Sequence, residues 1–355
     1  MLNFDFQYRD RIPVAILGAT GAVGQRLVAM LAEHPWFRIV SLTASEANIG
    51  KKYTEAVQWT QPSPLPAAVA SMQLQRGEPS IEGVIAFSAL DSSVAYEVES
   101  AFAENGYIVV SNTSAYRMDC TVPLLVPEIN SSHLELLKIQ KFKKGKIVAK
   151  PNCTAIALSL ALKPLYDTFG ISALHVMTMQ SISGAGFPGV PSLSILGNVI
   201  PYIQGEEEKV ETEPLKILGK YDSLQVIPAS FAISAMTNRV PVIDGHTLCV
   251  SIKLKNKPLK EDLILAWETF TSELKMLHLP SAPEKPLVYF SQKDYPQPKF
   301  HIDLERGMAV AIGGLRPCPH LDYKFTICSN NVVRGAAGGA ILSAELLLKK
   351  GHIYW

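Results

Sequence analysis

The chain has 355 residues, 48% of them hydrophobic and 18% charged, with a mean hydropathy of +0.15. That is enough apolar material for two packed domains and too little charge for a disordered chain. The 33 basic and 32 acidic residues nearly cancel, and the densest basic stretch, Lys138 to Lys146, is short, so neither nucleic acid nor a membrane surface is an expected partner.

Ile12 to Leu17 reads as a short apolar strand, and a glycine turn leads from it into a helical stretch from about Ala22 to His34. Further strands are expected at Phe37 to Thr43, Ile81 to Phe87, Tyr107 to Ser111 and Lys146 to Ala149, with a helix over Ser92 to Asn105. This alternation predicts an α/β fold built on a Rossmann-type, doubly wound parallel sheet. After Pro151 the pattern changes. A helix over Thr154 to Phe169 is followed by strand-like stretches at Ser172 to Ile182, Leu224 to Ala232, Thr247 to Leu254 and Met308 to Ile312. Strands without regular helices between them predict a second, α+β domain with a largely antiparallel sheet. Gly335 to Lys350 is rich in small residues and then in leucine. It predicts a last helix that returns to the first domain. The expected division is residues 1–152 with 331–355 for the first domain and 153–330 for a catalytic and oligomerisation domain.

Gly18, Gly21 and Gly24 fall between the first strand and the first helix. Glycines there let a pyrophosphate approach the backbone N–H groups and the positive end of the helix, which predicts dinucleotide binding. The acceptor for the ribose is expected at the end of the second strand. That strand ends Thr43-Ala44-Ser45, and the loop after it runs Glu46, Ala47, Asn48, Ile49, Gly50, Lys51. Ser45 and Asn48 suit a 2′-phosphate and Lys51 is nearby, which favours NADP; Glu46 would repel that phosphate if it turned inward.

Cys153 follows Pro151 and Asn152 at the junction of a strand and a helix. A thiol at a helix N-terminus feels the positive end of the dipole, which favours the nucleophilic thiolate. Cys249, within an apolar strand, reads as core, and so do Cys120, Cys318 and Cys328. Five cysteines without a C-x-x-C pair predict no disulfide framework, no metal site and a reducing, cytoplasmic setting. Met1 to Arg11 carries Asp5 and Asp10 and no apolar core, so no signal peptide is expected. No apolar run reaches the roughly 20 residues of a membrane span.

A thiolate that forms thiohemiacetals needs a proton partner. His246, on a glycine turn beside Asp244 and seven residues after Arg239, leads among the eight histidines. His175 reads as structural, and His34, His278, His320 and His352 as loop or surface residues. Two further glycine-rich stretches stand out, Ser183 to Gly189 and Arg334 to Gly339. The first suits approach to a cofactor; the second suits either cofactor approach or close helix packing. Gly205 to Lys209 is acidic and reads by itself as a solvated helix start.

Taken together, GATGAVG (18–24), SNTSAYRMD (111–119), VPLLVPEIN (122–130), PNCTA (151–155), MQSISGAGFPGVPSL (179–193), GEEEK (205–209), NRVPVIDGH (238–246) and NVVRGAAGGAIL (331–342) carry a resemblance over essentially the whole chain. The sequence resembles the aspartate-semialdehyde dehydrogenases, in their archaeal and fungal branch. The resemblance implies that Cys153 is the nucleophile, His246 the general acid/base and Gln180 the group that orients the acyl intermediate. Arg239 would hold the substrate α-carboxylate and Glu206 its α-amino group, while Arg117, Asn152 and Lys209 surround the phosphate. Thr20, Gly21, Ala22, Val23, Ser45, Ser88, Ser183, Gly184 and Asn331 would line the cofactor, beside Gly18, Gly24 and Asn48 from the turn and loop read above. The implied reaction is NADPH-dependent reductive dephosphorylation of 4-phospho-L-aspartate through a thioester, in a homodimer or homotetramer.

One departure bears on the cofactor. Members of the family carry an S-E-R-S-A-G-K type of loop after the second strand, and Ala47 stands here in place of its arginine. Tolerance of NAD alongside NADP is therefore expected. Two rival readings are a malonyl-CoA reductase-like enzyme on the same scaffold, for which Asn152, Glu206 and Lys209 have no use, and a catalytically inactive cofactor-sensing protein, against which Cys153, His246 and Arg239 stand together.

Overall fold

The structure, a computed structural model, describes residues 10–353. All of the N-terminal segment read above except Asp10 and Arg11 lies outside the described residues, as do the last two residues of the chain. The first part of the chain forms six strands: β1 (Ile12–Leu17), β2 (Phe37–Thr43), β3 (Leu74–Gln75), β4 (Ile85–Ser88), β5 (Ile108–Ser111) and β6 (Lys146–Ala149). They pair in parallel in the order β3-β2-β1-β4-β5-β6. The order reverses between β1 and β4, and their carboxyl ends open a crevice there, the place where doubly wound sheets bind ligands.

Successive side chains of β1 serve two cores, as the two-residue period of a strand requires. Ile12, Val14 and Ile16 share a cluster with Ile341, Leu342 and Leu346 of the last helix, Gly338–Lys349. Ala15 and Leu17 face the other way, into a cluster built around the helix Cys153–Phe169. The last helix thus covers the first sheet, as its leucines predict.

The remaining strands are β7 (Ile171–Gln180), the small hairpin β8 (Lys220–Tyr221) and β9 (Val226–Ile227), β10 (Ala232–Arg239), β11 (His246–Leu254), β12 (Leu287–Phe290), β13 (Val310–Pro317) and β14 (Tyr323–Ser329). The second sheet runs β10-β7-β11-β14-β13-β12. Its three inner pairings are antiparallel, but β10 with β7 and β12 with β13 are parallel, so the sheet is mixed. The strand expected over Leu224 to Ala232 is displaced: before Ala232 that stretch pairs at Val226–Ile227, and Ala232–Arg239 forms the edge strand instead. Pro228, which has no amide to donate, separates the two. Strands β12 and β14 join where the sequence reading places none. Among the described residues no helix is long and apolar enough to cross a membrane.

Candidate active site

Strand β6 ends at Ala149, and Cys153 is the first residue of the 17-residue helix that follows. Asn152 caps that helix, its Oδ1 accepting from the Thr154 and Ala155 amides at 2.9 and 3.3 Å. Two of the helix's open donors are thereby satisfied, and the thiol stands at the positive end of the helix dipole. The Cys153 side chain rests on Gly335, where an added Cβ would lie 2.5 Å from the cysteine Cβ. Gly335 belongs to a π-helical turn, Val333–Ala337, that feeds the last helix. The glycines of this stretch therefore serve close packing: Gly338 is likewise held against Met308 and Val333.

His246 opens β11 and is buried. Its Nδ1 accepts the Ser181 backbone N–H at 3.1 Å, which puts the ring proton on Nε2. Among the described residues Nε2 has no hydrogen-bond partner. Burial, with Arg239 adding to it, pushes the imidazole down to about 3 against a smaller upward pull from Glu206. The ring is therefore a neutral N–H donor around neutral pH. Arg239, at the end of β10, donates from Nη1 to the Ser181 carbonyl at 2.8 Å. Both side chains lie under Gly184: a Cβ there would sit 2.8 Å from Arg239 Nη1 and 3.2 Å from His246 Nε2.

The acidic run starts the helix Glu206–Ile217, and its first residues are not merely solvated. Glu206 accepts from Lys209 Nζ at 2.8 Å, from Asn152 Nδ2 at 3.0 Å and from Gln180 Nε2 at 3.4 Å. Burial alone would raise its carboxyl, but the contacts with Lys209, Asn152 and Gln180 outweigh burial and hold it low. Two turns on, buried Glu213 accepts from Arg117 Nη1 at 3.0 Å and from the Asn152 amide at 2.6 Å. Lys216 then donates to the carbonyls of Arg117, Asp119 and Val122. One face of this helix thus fixes the loop that carries Arg117 and the turn that precedes Cys153.

A cavity of about 450 Å³ opens between the first sheet and these elements. Arg117, Asn152, Cys153, Gln180, Glu206 and Lys209 line one part of it, and Ala22, Val23, Ser183, Gly184 and Asn331 another. Arg239 and His246 lie one layer below, beneath Gly184. The cofactor end fits a pyrophosphate: the helix Ala22–Leu31 begins at Gly21 with no side chain capping its first amides, and Ala22 and Val23 face the cavity. Gly18 has φ +78°, and a Cβ on it would strike the Ala89 carbonyl at 2.6 Å. A Cβ on Gly24 would strike the Gly18 carbonyl at 2.2 Å, so these two glycines shape the turn. Thr20 lies in the same turn, its carbonyl accepting from Gln25. Ser88 is fully buried at the end of β4 and does not line the cavity. The Asn331 amide is engaged internally, accepting from the Gly245 amide at 2.8 Å and donating to Ser183 Oγ at 2.9 Å. Ser45 and Asn48 sit apart, around an exposed turn after β2, with Lys51 donating to Asn48 Oδ1 at 3.0 Å.

Four residues of the site escape the sequence reading. Glu213, Lys150 and Ser181 act through contacts between distant parts of the chain, and no local motif marks them. Arg76, just after β3, reaches Glu46 at 3.1 Å and so brings a guanidinium to the loop that has Ala47. The parallel pairing of Thr43 with Gln75 places it there. Two simpler expectations change: Cys120 is exposed and not core, and His34 is buried against Glu345. Among the described residues no group of three or more His, Cys, Asp or Glu side chains is arranged to hold a metal ion.

Two family models match the chain. The NAD-binding domain of semialdehyde dehydrogenases matches residues 13–137, and the dimerisation domain of semialdehyde dehydrogenases matches residues 162–334. An aspartate-semialdehyde dehydrogenase of Archaeoglobus fulgidus is 46% identical over 344 residues, covering 96% of this chain and 99% of the relative. One from Saccharomyces cerevisiae is 40% identical over 358 residues, covering 95% and 98%. A crystal structure of aspartate semialdehyde dehydrogenase with NADP from Candida albicans superposes with a TM-score of 0.88 at 38% identity, covering 97% of this chain and all of that one. With 46% identity over nearly the whole chain and two matching family models, this chain belongs to the aspartate-semialdehyde dehydrogenase family.

Proposed function

We propose that the chain catalyses the reversible, NADPH-dependent reductive dephosphorylation of 4-phospho-L-aspartate to L-aspartate 4-semialdehyde, a step towards lysine, methionine and threonine. The observation that carries this reading is the convergence of a helix-terminal cysteine, Arg117, Lys209 and Glu206 on one cavity, with Glu213 paired to Arg117 behind it and a histidine of fixed tautomer beneath its Gly184 wall.

Cys153 Sγ attacks the acyl carbon, the C–O bond to phosphate breaks, and a thioester forms. Arg117, Asn152 and Lys209 receive the leaving phosphate; Glu213 keeps the Arg117 guanidinium oriented while it does so. Arg239 takes the α-carboxylate, a planar task that suits guanidinium. Glu206 takes the α-ammonium group, and Gln180 steadies the acyl group. Bound NADPH supplies the hydride that reduces the thioester carbon. The Nε2–H of His246 donates a hydrogen bond to the oxyanion that develops. Collapse of that oxyanion breaks the C–S bond, releases the aldehyde and returns Cys153 as thiolate; the one proton that the whole cycle consumes is taken from solvent by the departing phosphate. The general acid/base expected from the sequence thereby becomes a neutral hydrogen-bond donor.

NADP is the cofactor, with tolerance of NAD. Arg76 offers the ribose loop a guanidinium, but it is already paired with Glu46 at 3.1 Å and with Glu78 at 3.5 Å, which weakens its pull on a 2′-phosphate. The functional division is residues 1–152 with 331–355 for the cofactor and 153–330 for catalysis and assembly. The homo-oligomer is a dimer or tetramer; exposed Met177 and Met236 on the second sheet, with Leu193, Leu196, Val199 and Tyr202, supply an apolar face for it. Unpaired cysteines suit a cytoplasmic setting.

The test is phosphate-dependent reduction of NADP by L-aspartate 4-semialdehyde, followed at 340 nm. Wild type should turn over only with phosphate present. Cys153→Ala should lose on the order of 10⁴-fold or more, as enzymes do without their nucleophile. Turnover that ignores phosphate or survives Cys153→Ala would overturn the reading, and reduction of malonyl-CoA in its place would move the chain to the CoA-thioester reductases.

A further inference from the structure

The site is short of one anion. Arg117 is paired with Glu213, Lys209 with Glu206 and Arg334 with Glu128. Arg239 awaits a substrate carboxylate. Lys150 remains. Its side chain is 3% exposed, yet no carboxylate among the described residues forms an ion pair with it. Its Nζ donates to the Pro151 carbonyl at 2.6 Å and to the Gly335 carbonyl. Gly335 is the residue against which Cys153 packs, its missing Cβ 2.5 Å from the cysteine's. Lys150 and Cys153 also line the same cavity. A buried ammonium held only by neutral carbonyls is costly unless a negative charge forms beside it.

His246 does not supply the cation that a reactive cysteine needs. Its Nδ1 is taken by a backbone N–H, and it is neutral around neutral pH. We propose that Lys150 is the counterion of the Cys153 thiolate, the role given to imidazolium in cysteine–histidine pairs. This rests on Cys153 being the nucleophile.

The charged groups around the pair are those already named. Burial and then Arg117 push the Lys150 ammonium down to about 7, while Cys153 and Glu213 pull it up and Arg334 adds a smaller push down. Burial and Glu206 raise the Cys153 thiol, while Lys150, Arg117 and a hydrogen bond with Thr154 lower it. Arg117 is committed to Glu213, and Arg239, which also feels Cys153, is the cation kept for the substrate carboxylate, so Lys150 is the buried cation left to the thiolate. Each of the two groups makes the charged form of the other less costly.

The experiment is the pH dependence of Cys153 carbamidomethylation by iodoacetamide, read by mass spectrometry of the Cys153 peptide in the full chain. It needs no turnover, so it stands apart from the Cys153→Ala assay above. Lys150→Met should shift the alkylation midpoint up by at least about one pH unit and slow the reaction at pH 7 about tenfold, with recovery near pH 10. Lys150→Arg, which keeps a cation, and His246→Asn should both leave the midpoint in place. Should Lys150→Met fail to fold by circular dichroism, Lys150→Gln, which can still donate to carbonyls, gives the same reading. A wild-type midpoint in the Met or Gln variant, or a shift in His246→Asn as large as theirs, overturns the proposal.

Discussion

The chemical end of the cavity and the proposed ribose end, the exposed loop after β2, are built on opposite principles. At the chemical end, buried Arg117, Glu213, Asn152, Gln180 and His246 each make contacts that fix them, and those contacts join strand, loop and helix. At the ribose end, Ser45, Glu46 and Arg76 stand in solvent, and Glu46 meets Arg76 in an exposed ion pair. Charges held in a dry, satisfied frame are strong and hard to replace, whereas exposed pairs are worth about 0–1 kcal/mol. On the proposed function, reaction type rests on the buried frame and cofactor preference on a few surface groups.

That contrast can be broken most forcefully at Glu213. Glu213→Ala leaves a buried guanidinium and a buried amide without their acceptor, which should cost about 3–5 kcal/mol in chemical denaturation and raise the KM for phosphate in the oxidative direction. A variant with wild-type stability and phosphate KM would show the frame to be softer than described. Gly184→Ala comes next. The methyl would collide with Arg239 and His246, and displacements of that size cost about 10²-fold in rate, read as kcat with stability unchanged.

His246 offers a pH test of the same frame. Its folded pKa of about 3 lies below the ordinary 6.5, so between those values the unfolded chain binds a proton that the folded chain does not. Stability should then fall as pH drops through that window, by up to about 1.4 kcal/mol per pH unit. His246→Asn should flatten that part of the curve in denaturation at pH 7, 6 and 5; an unchanged slope refutes the neutral assignment. The smallest effect belongs to the ribose end. Arg76→Ala should lower kcat/KM for NADPH about fivefold, near 1 kcal/mol, and leave NADH unchanged. Equal losses with both cofactors would remove Arg76 from the 2′-phosphate site.

The sequence exposes what is local. Cys153 is visible because proline, asparagine and a helix start lie beside it, and the first sheet because β and α segments alternate. Edge strand β10 is misplaced because the apolar run Leu224 to Ile227 looks more strand-like than Ala232–Arg239, whose extended form depends on its neighbour β7. Glu213 lies 96 residues from Arg117 and 61 from Asn152, and no periodicity announces such a pairing. Arg76 is invisible for the same reason: only the register of β3 on β2 brings it to the cofactor loop.

The helix Glu206–Ile217 carries one more consequence. Glu206 and Lys209, proposed to meet the amino group and the phosphate, share a rigid rod with Glu213 and Lys216, which hold the loop that carries Arg117. The rod works as a gauge, fixing how far apart the two ends of a substrate stand. A single residue inserted within it would rotate everything beyond the insertion by about 100° and separate the two jobs. Selection for a longer or shorter substrate would have to move the whole helix, so the surrounding loops are where variation in length belongs.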